Sequence, residues 1–358
     1  MLLDEVVGQD VAVKSLRGMF AKGRFNRAIL LSGAYGSGKT TLARMIALYR
    51  NCMKPAKNGD PCLKCLSCVS MSLREDGTLK HPDVIELNMA STRGIDTIRD
   101  LQSLIRNRPR FNSRIIVLDE VHMLTPQAQN AILKPLEEPP RGTTFILATT
   151  DAQKLIKTIR SRCVNIQLRR VTPDACSKLL RRVAKAEKFK LEDDQALKIA
   201  NATLGHPRDA LNTLEQVIHY VSGGGEKLSK VLPRVIEEAM EASPEVVAFK
   251  YLGFVLDGNL KASLRLASMT SRADNFMANA VLACGQVVKA MVDRTIAEPY
   301  YRRFFDPIVK SDPKLSHVEG VFRGLMDGYA EAKSYLQQDD DLLTFITLRL
   351  TNMASKRR

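Results

Sequence analysis

The octet GAYGSGKT, residues 33–40, sets Gly33, Gly38, Lys39 and Thr40 in the spacing G-x-x-x-x-G-K-[ST]. That spacing suits the binding of a nucleotide phosphate. Glycines let successive backbone N–H groups converge on one anion, a lysine brings a point charge to the β/γ-phosphates, and a Thr hydroxyl ligates a magnesium ion that already carries phosphate oxygens. Gly36, Ser37 and Thr41 belong to the same expected nucleotide-binding cradle. A glycine-rich turn is the bland alternative, and Tyr35 is an unusual occupant of the loop's middle. Farther on, RIIVLDEVHML places Asp119 and Glu120 at the end of an apolar run. Downstream of a phosphate loop, Asp119 is the expected outer ligand of Mg2+, and Glu120 the carboxylate that orients and deprotonates an attacking water. The competing reading is an acidic turn at a strand end.

Such residues need rigid elements to hold them. RAILLSG before the octet reads as a buried strand and TLARMIALYR after it as a helix, which is the setting a phosphate loop requires. From residue 27 to about 168 the runs RAILLSG, DVIELNM, RIIVLDE, TTFILATT and CVNIQL alternate with amphipathic stretches. This alternation predicts an α/β domain with a parallel, doubly wound sheet over 1–168. Helical periodicity then takes over, which predicts a small helical domain over 169–223 and a second all-helical domain over 224–358, joined by the glycine-rich SGGGEKLS. Pro135 in LKPLEEPP is expected to kink or shorten its helix.

Cys52, Cys62, Cys65 and Cys68 follow the phosphate-loop helix at C-x9-C-x2-C-x2-C. Four thiolates satisfy a tetrahedral zinc ion and leave no open position for chemistry, so a structural Zn2+ site is expected. Disulfides are the competing reading, and a reducing compartment argues against them. Cys163, Cys176 and Cys284 lie in apolar contexts and read as buried thiols.

With 358 residues and a formal net charge of +15, the chain has room for two or three domains and calls for an anionic partner, either nucleic acid or a membrane surface. No apolar run reads as a membrane span. The N-terminal MLLDEVVGQD lacks the basic start and cleavage site of a signal peptide, so a cytoplasmic protein without membrane partners is expected.

The sequence resembles the ATPase (gamma/tau) subunits of bacterial DNA polymerase III clamp loaders, members of the AAA+ superfamily. The matching stretches are DEVVGQDVAVKSLR, the phosphate loop, CMKPAKNGDPCLKCLSC, STRGIDTIRDL, LDEVHMLTPQAQNAILKPLEEPP, ILATTDAQKL, SRC and GHPRDALNTLEQ, covering residues 4 to about 217. The resemblance implies a helical lid over 169–223 and a helical collar over 224–358. Arg162 of SRC is similar to an arginine finger that reaches a neighbour's ATP. Thr150 rather than Thr149 matches a first sensor, and Arg208 matches a second sensor carried by the lid. Val7 and Gly8 match the residues beside the adenine, although the Arg-x-x-Arg-Pro segment usual before them is missing. Arg93 and Gly94 lie in the loop that the family turns toward DNA, where Ser91 or Thr92 would cap a helix beginning near Ile95.

The implied partners are other clamp-loader subunits in a pentameric assembly, a sliding clamp and primer–template DNA, with nucleoid association during replication. The ending at SKRR suggests a gamma-type or phage-encoded version. Two rivals stand beside this reading: another ring AAA+ DNA motor for branch migration or helicase loading, and a non-hydrolysing scaffold subunit.

Overall fold

The computed structural model describes residues 2–21, 28–56, 58–72, 79–92, 94–105, 108–241, 243–269, 273–298, 301–311, 313–334 and 340–355. The chain divides into two compact units, Met1–Leu179 with His206–Arg208, and Leu180–Gly205 with Asp209–Arg358.

The first unit opens with α1 (Asp10–Ala21), followed by β1 (Ala28–Ser32), α2 (Lys39–Asn51) and the short α3 (Leu66–Ser70). Next come β2 (Val84–Asn88), α4 (Ile95–Leu104), β3 (Arg114–Asp119), α5 (Pro126–Glu137), β4 (Thr143–Thr149), α6 (Lys157–Arg162) and β5 (Val164–Gln167). All five expected strands are present. They form one sheet in the order β2-β3-β4-β1-β5, with every pairing parallel.

Parallel strands covered on both faces read as continuous apolar runs, and β4 is buried at every residue. Successive side chains nonetheless point to opposite faces. Ile29, Leu31, Ile115, Val117, Ile146 and Ala148 pack with Leu42 and Ile46 of α2. Leu30, Ile116, Leu118, Phe145 and Leu147 pack instead with Ile98 of α4 and Ile132 and Leu136 of α5. Helices on both faces therefore hold the sheet, and the carboxyl ends of β1, β3 and β4 emerge as adjacent rims, where open α/β sheets bind ligands.

Pro135 lies inside α5, which ends two residues later at Glu137 with Glu138 as its C-cap, so the lost N–H falls in the last turn. One local expectation fails. α4 does begin at Ile95, but its N-cap is Gly94, without a side-chain cap. The Ser91 and Thr92 hydroxyls donate instead to the Asn88 carbonyl at the end of β2, at 2.9 and 3.0 Å.

α7 (Pro173–Ala186) has residues in both units; the second unit also holds α8 (Asp193–Ala202), α9 (Pro207–Ser222) from Asp209 on, α10 (Leu228–Glu241), α11 (Pro244–Leu256) and α12 (Leu260–Ser268). It ends with α13 (Ala273–Val292), α14 (Arg302–Lys310), α15 (Leu315–Ser334) and α16 (Asp340–Ser355). Gly223 to Lys227 join α9 and α10, with Gly225 at φ +65°. Contrary to the sequence expectation, one segment, Asn275–Val292 of α13, is long and apolar enough to cross a membrane by length and composition. Its Met277, Ala280, Ala283, Cys284 and Val287 are fully buried in the core of this unit, alongside Tyr251, Leu252, Leu325 and Ile346. Cys176 and Cys284 are buried as expected, whereas Cys163 is half-buried.

Candidate active site

The phosphate loop bridges β1 and α2. Gly36 and Gly38 sit at φ +71° and +94°, left-handed conformations that favour glycine, and Gly38 is the N-cap of α2. At Gly33 an added Cβ would lie 2.6 Å from the Leu168 carbonyl oxygen, so close approach requires glycine there. Ser37 is buried, and its Oγ has no hydrogen-bond partner among the described residues. Lys39 is also buried and donates to the Gly33 and Ala34 carbonyls, each at 3.0 Å. Burial lowers its pKa, while the nearby Glu120 and Asp119 carboxylates oppose that shift. Thr41 is exposed at the helix start.

Asp119, the last residue of β3, accepts the Thr40 hydroxyl at Oδ2 at 2.6 Å and the Glu120 N–H at Oδ1 at 2.9 Å. Glu120 adopts a left-handed backbone, φ 49° and ψ 44°, which costs a side-chain-bearing residue about 1–2 kcal/mol. Such strain persists only where neighbours enforce it. Here the Met123 N–H caps the Glu120 carbonyl at 2.9 Å, and the Thr150 hydroxyl donates to Glu120 Oε2 at 3.2 Å. Thr149 is fully buried and turns its hydroxyl to His122 and to the Asp151 N–H, at 3.0 Å each. Thr150, not Thr149, therefore touches the Glu120 carboxylate.

Arg208 groups with the first unit, and its Nη1 donates to the Tyr35 hydroxyl at 2.6 Å with the guanidinium 5.0 Å from the ring centroid. Arg162 stands apart from this group. Its Nε donates to Glu137 Oε1 at 2.6 Å and its Nη1 to the Thr158 carbonyl at 2.9 Å. Val7 is half-buried, and Gly8, at φ +70°, approaches Val171 so closely that a Cβ would lie 3.3 Å from its Cγ1. Gly94 is exposed, and Arg93 lies outside the described residues.

Three participants escaped the sequence reading. Gln9 is buried and bridges the Ser37 carbonyl at 3.2 Å to the Arg169 carbonyl at 2.7 Å, tying the N-terminal stretch to the phosphate loop. Tyr35 drew notice only as an unusual loop residue, and His122 lay unremarked inside LDEVHML. A polar ring two residues past the acidic pair was the one available signal for His122.

The Sγ atoms of Cys52, Cys62, Cys65 and Cys68 all lie within 4.8 Å of one another. A tetrahedral ion with Zn–S bonds of about 2.3 Å needs S···S edges of about 3.8 Å, so the donor set fits zinc with small adjustment. Backbone N–H groups of Cys62, Cys65 and Cys68 donate to the sulfurs of Cys52, Cys62 and Cys65 at 3.2, 3.3 and 3.4 Å. Donation of this kind favours thiolates, but burial outweighs it at Cys52 and Cys68, whose thiols are pushed up. The N–H groups of Lys64 and Cys65 hold Cys62 below the usual thiol range. Burial pulls Cys65 upward, but the N–H groups of Cys68 and Met53 bring it down to about 6.

The cluster is anchored to the sheet. Ser67 Oγ lies 3.0 Å from His81 Nε2, and the His81 Nδ1 accepts the Asp83 N–H at 3.1 Å. Asp83, fully buried, accepts the N–H groups of Arg110 and Phe111 at 2.9 and 2.7 Å.

Comparison with known proteins decides the family. The family described as DNA polymerase III, delta subunit, matches residues 8–172. The tau subunit of Bacillus subtilis is 38% identical over 218 residues, which are 61% of this chain and 38% of that protein. The gamma subunit of Buchnera aphidicola from Acyrthosiphon pisum is 33% identical over 268 residues, 75% of this chain and 71% of that protein. The chain belongs to the DNA polymerase III gamma/tau family. It spans 38% of the Bacillus subtilis relative and 42% of the Mycoplasma genitalium gamma/tau subunit. The RuvB Holliday junction branch migration motor of Thermotoga maritima is similar in fold, with a TM-score of 0.52 and 18% identity over 71% of this chain and 77% of that one. Within this family the chain carries a parallel α/β sheet followed by helices.

Proposed function

We propose that this chain is the ATPase subunit of a DNA sliding-clamp loader. The observation that carries the hydrolytic part is the Thr40–Asp119 contact at 2.6 Å, with Glu120 next in sequence and Thr150 on its carboxylate. Gly33, Gly36, Ser37, Gly38, Lys39, Thr40 and Thr41 bind the phosphates of ATP, and Val7 and Gly8 lie beside its base. Thr40 and Asp119 hold Mg2+, which draws charge from the phosphate oxygens when bound. Glu120 takes the proton of the attacking water, Thr150 fixes that carboxylate, and Arg208 approaches the subunit's own phosphate.

Arg162 serves the neighbouring subunit. Its pair with Glu137 leaves the two side chains 33% and 44% exposed, and an exposed pair is worth only about 0.2–1 kcal/mol, so it yields readily to a phosphate. Zinc held by Cys52, Cys62, Cys65 and Cys68 is structural. Residues 169–223 act as the lid and 224–358 as the collar of a pentameric assembly, and Arg93 with Gly94 meets the DNA backbone. Family membership supports the clamp-loading part, with work in the cytoplasm at the nucleoid.

The test is the ATPase rate of the chain assembled with its partner subunits, alone and with sliding clamp and primed DNA. Stimulation that needs both is the expected result. Full stimulation by DNA without a clamp would point to a branch-migration or helicase-loading motor instead, and no hydrolysis at all to a scaffold.

A further inference from the structure

His122 lies two residues beyond Glu120 in a single turn of 3-10 helix, Val121–Met123, with its side chain only 10% exposed. Its Nδ1 is 3.3 Å from Glu120 Oε2 and 3.0 Å from Thr149 Oγ1. The proton inventory constrains what that nitrogen carries. An ionised carboxylate only accepts, so the approach to Glu120 is attractive only when Nδ1 bears a proton. Thr149 Oγ1 already accepts the Asp151 N–H at 3.0 Å and has one further lone pair to offer. A protonated Nδ1 thus has two acceptors before it, one on the Glu120 carboxylate and one on a fully buried strand residue. With Nδ1 bare, the imidazole instead accepts a hydrogen bond from the Thr149 hydroxyl, and its lone pair faces the Glu120 carboxylate, which repels it.

We propose that His122 is a positioning residue for Glu120: its Nδ1–H ties Oε2 to the end of β4, leaving Oε1 to receive the proton of the attacking water. Thr150 holds the same Oε2 from the neighbouring residue of that rim, at 3.2 Å. Together the two contacts hold one oxygen of the Glu120 carboxylate from adjacent residues of the rim. The role rests on Glu120 acting as the base.

The test is steady-state ATP hydrolysis by the full chain in its assembly. His122→Ala should lower kcat by roughly 10- to 100-fold, the scale of misplacing a reacting group by about 1 Å. KM for ATP should change less than about twofold, because the polar contacts of the ring go to Thr149 and Glu120. His122→Asn puts an amide N–H where Nδ1 stands and should recover most of the rate, whereas His122→Gln, whose amide reaches the Nε2 place, should not. Binding of a fluorescent ATP analogue and the melting temperature, measured on each variant, separate positioning from misfolding. If His122→Ala does not fold, the Asn and Gln pair decides. Equal turnover of Asn and Gln variants, or wild-type turnover in the Ala variant, overturns the proposal while Glu120→Gln remains inactive. Turnover retained by Glu120→Gln overturns the reading of Glu120 and this role with it.

Discussion

The Thr40 hydroxyl donates to Asp119 Oδ2 at 2.6 Å, joining residues that are 79 positions apart in the chain. β1 and β3 both flank β4 in the sheet, so the first residues of α2 and the last residue of β3 reach the same rim. Thr40→Ala and Asp119→Asn should each lower Mg2+-dependent hydrolysis by roughly two or more orders of magnitude, while nucleotide binding without Mg2+ changes little. Loss of binding in the absence of Mg2+ would assign these residues a packing role.

The cysteine cluster should carry about one zinc per chain as purified, by elemental analysis. Replacing Cys65 with Ser should remove the metal and lower the melting temperature while ATP affinity stays within a few-fold, because a structural ion contributes folding energy locally. Protein free of zinc and equally stable would contradict the site.

Buried His81 gives a pH signature. Burial lowers its pKa from the ordinary 6.5, with Asp83 partly opposing. The neutral ring is therefore preferred in the folded state, so its stabilisation is present above about pH 6.5 and is lost as the pH falls through that value toward the lowered one. Melting temperatures followed from about pH 8 to 5 should fall less steeply for His81→Gln than for the wild type. Parallel curves would show that His81 titrates alike in both states.

Mixing separates a finger in trans from a surface arginine. Arg162→Ala chains and Lys39→Ala chains should each be inactive alone yet regain hydrolysis in mixed assemblies, where a normal phosphate loop faces a normal Arg162. Such a residue is typically worth roughly a thousandfold or more in rate, so the rescue is large against the background. Assemblies verified as mixed and still inactive would return Arg162 to its contact with Glu137.

Much of this site was legible in the sequence because its signals are local. GAYGSGKT carries its own spacing, and the five apolar runs announce the strands that frame it. Four cysteines close in sequence likewise announce a cluster. Contacts set by the fold were not legible. Gln9 and Arg169 are 160 residues apart, Tyr35 and Arg208 are 173 apart, and neither pair has a spacing to read. His122 meets Thr149 only because β3 pairs with β4 in register and Glu120 turns through a left-handed conformation. The capping of α4 failed for a related reason: Ser91 and Thr92 had a nearer acceptor in Asn88, which sequence pattern does not rank.

The fate of bound ATP in two variants tests the central claim most directly. Glu120→Gln keeps Lys39 and the phosphate cradle but lacks a base, so ATP should bind with near wild-type affinity and remain uncleaved on the protein for at least a hundred times the wild-type turnover time, the scale of losing a general base. Lys39→Ala removes the buried charge of the phosphate loop and should retain no ATP when protein and free nucleotide are separated by gel filtration. Cleavage at the wild-type rate by Glu120→Gln, or ATP held as tightly by Lys39→Ala as by the wild type, would contradict the assignment of this rim as an ATP-hydrolysing site.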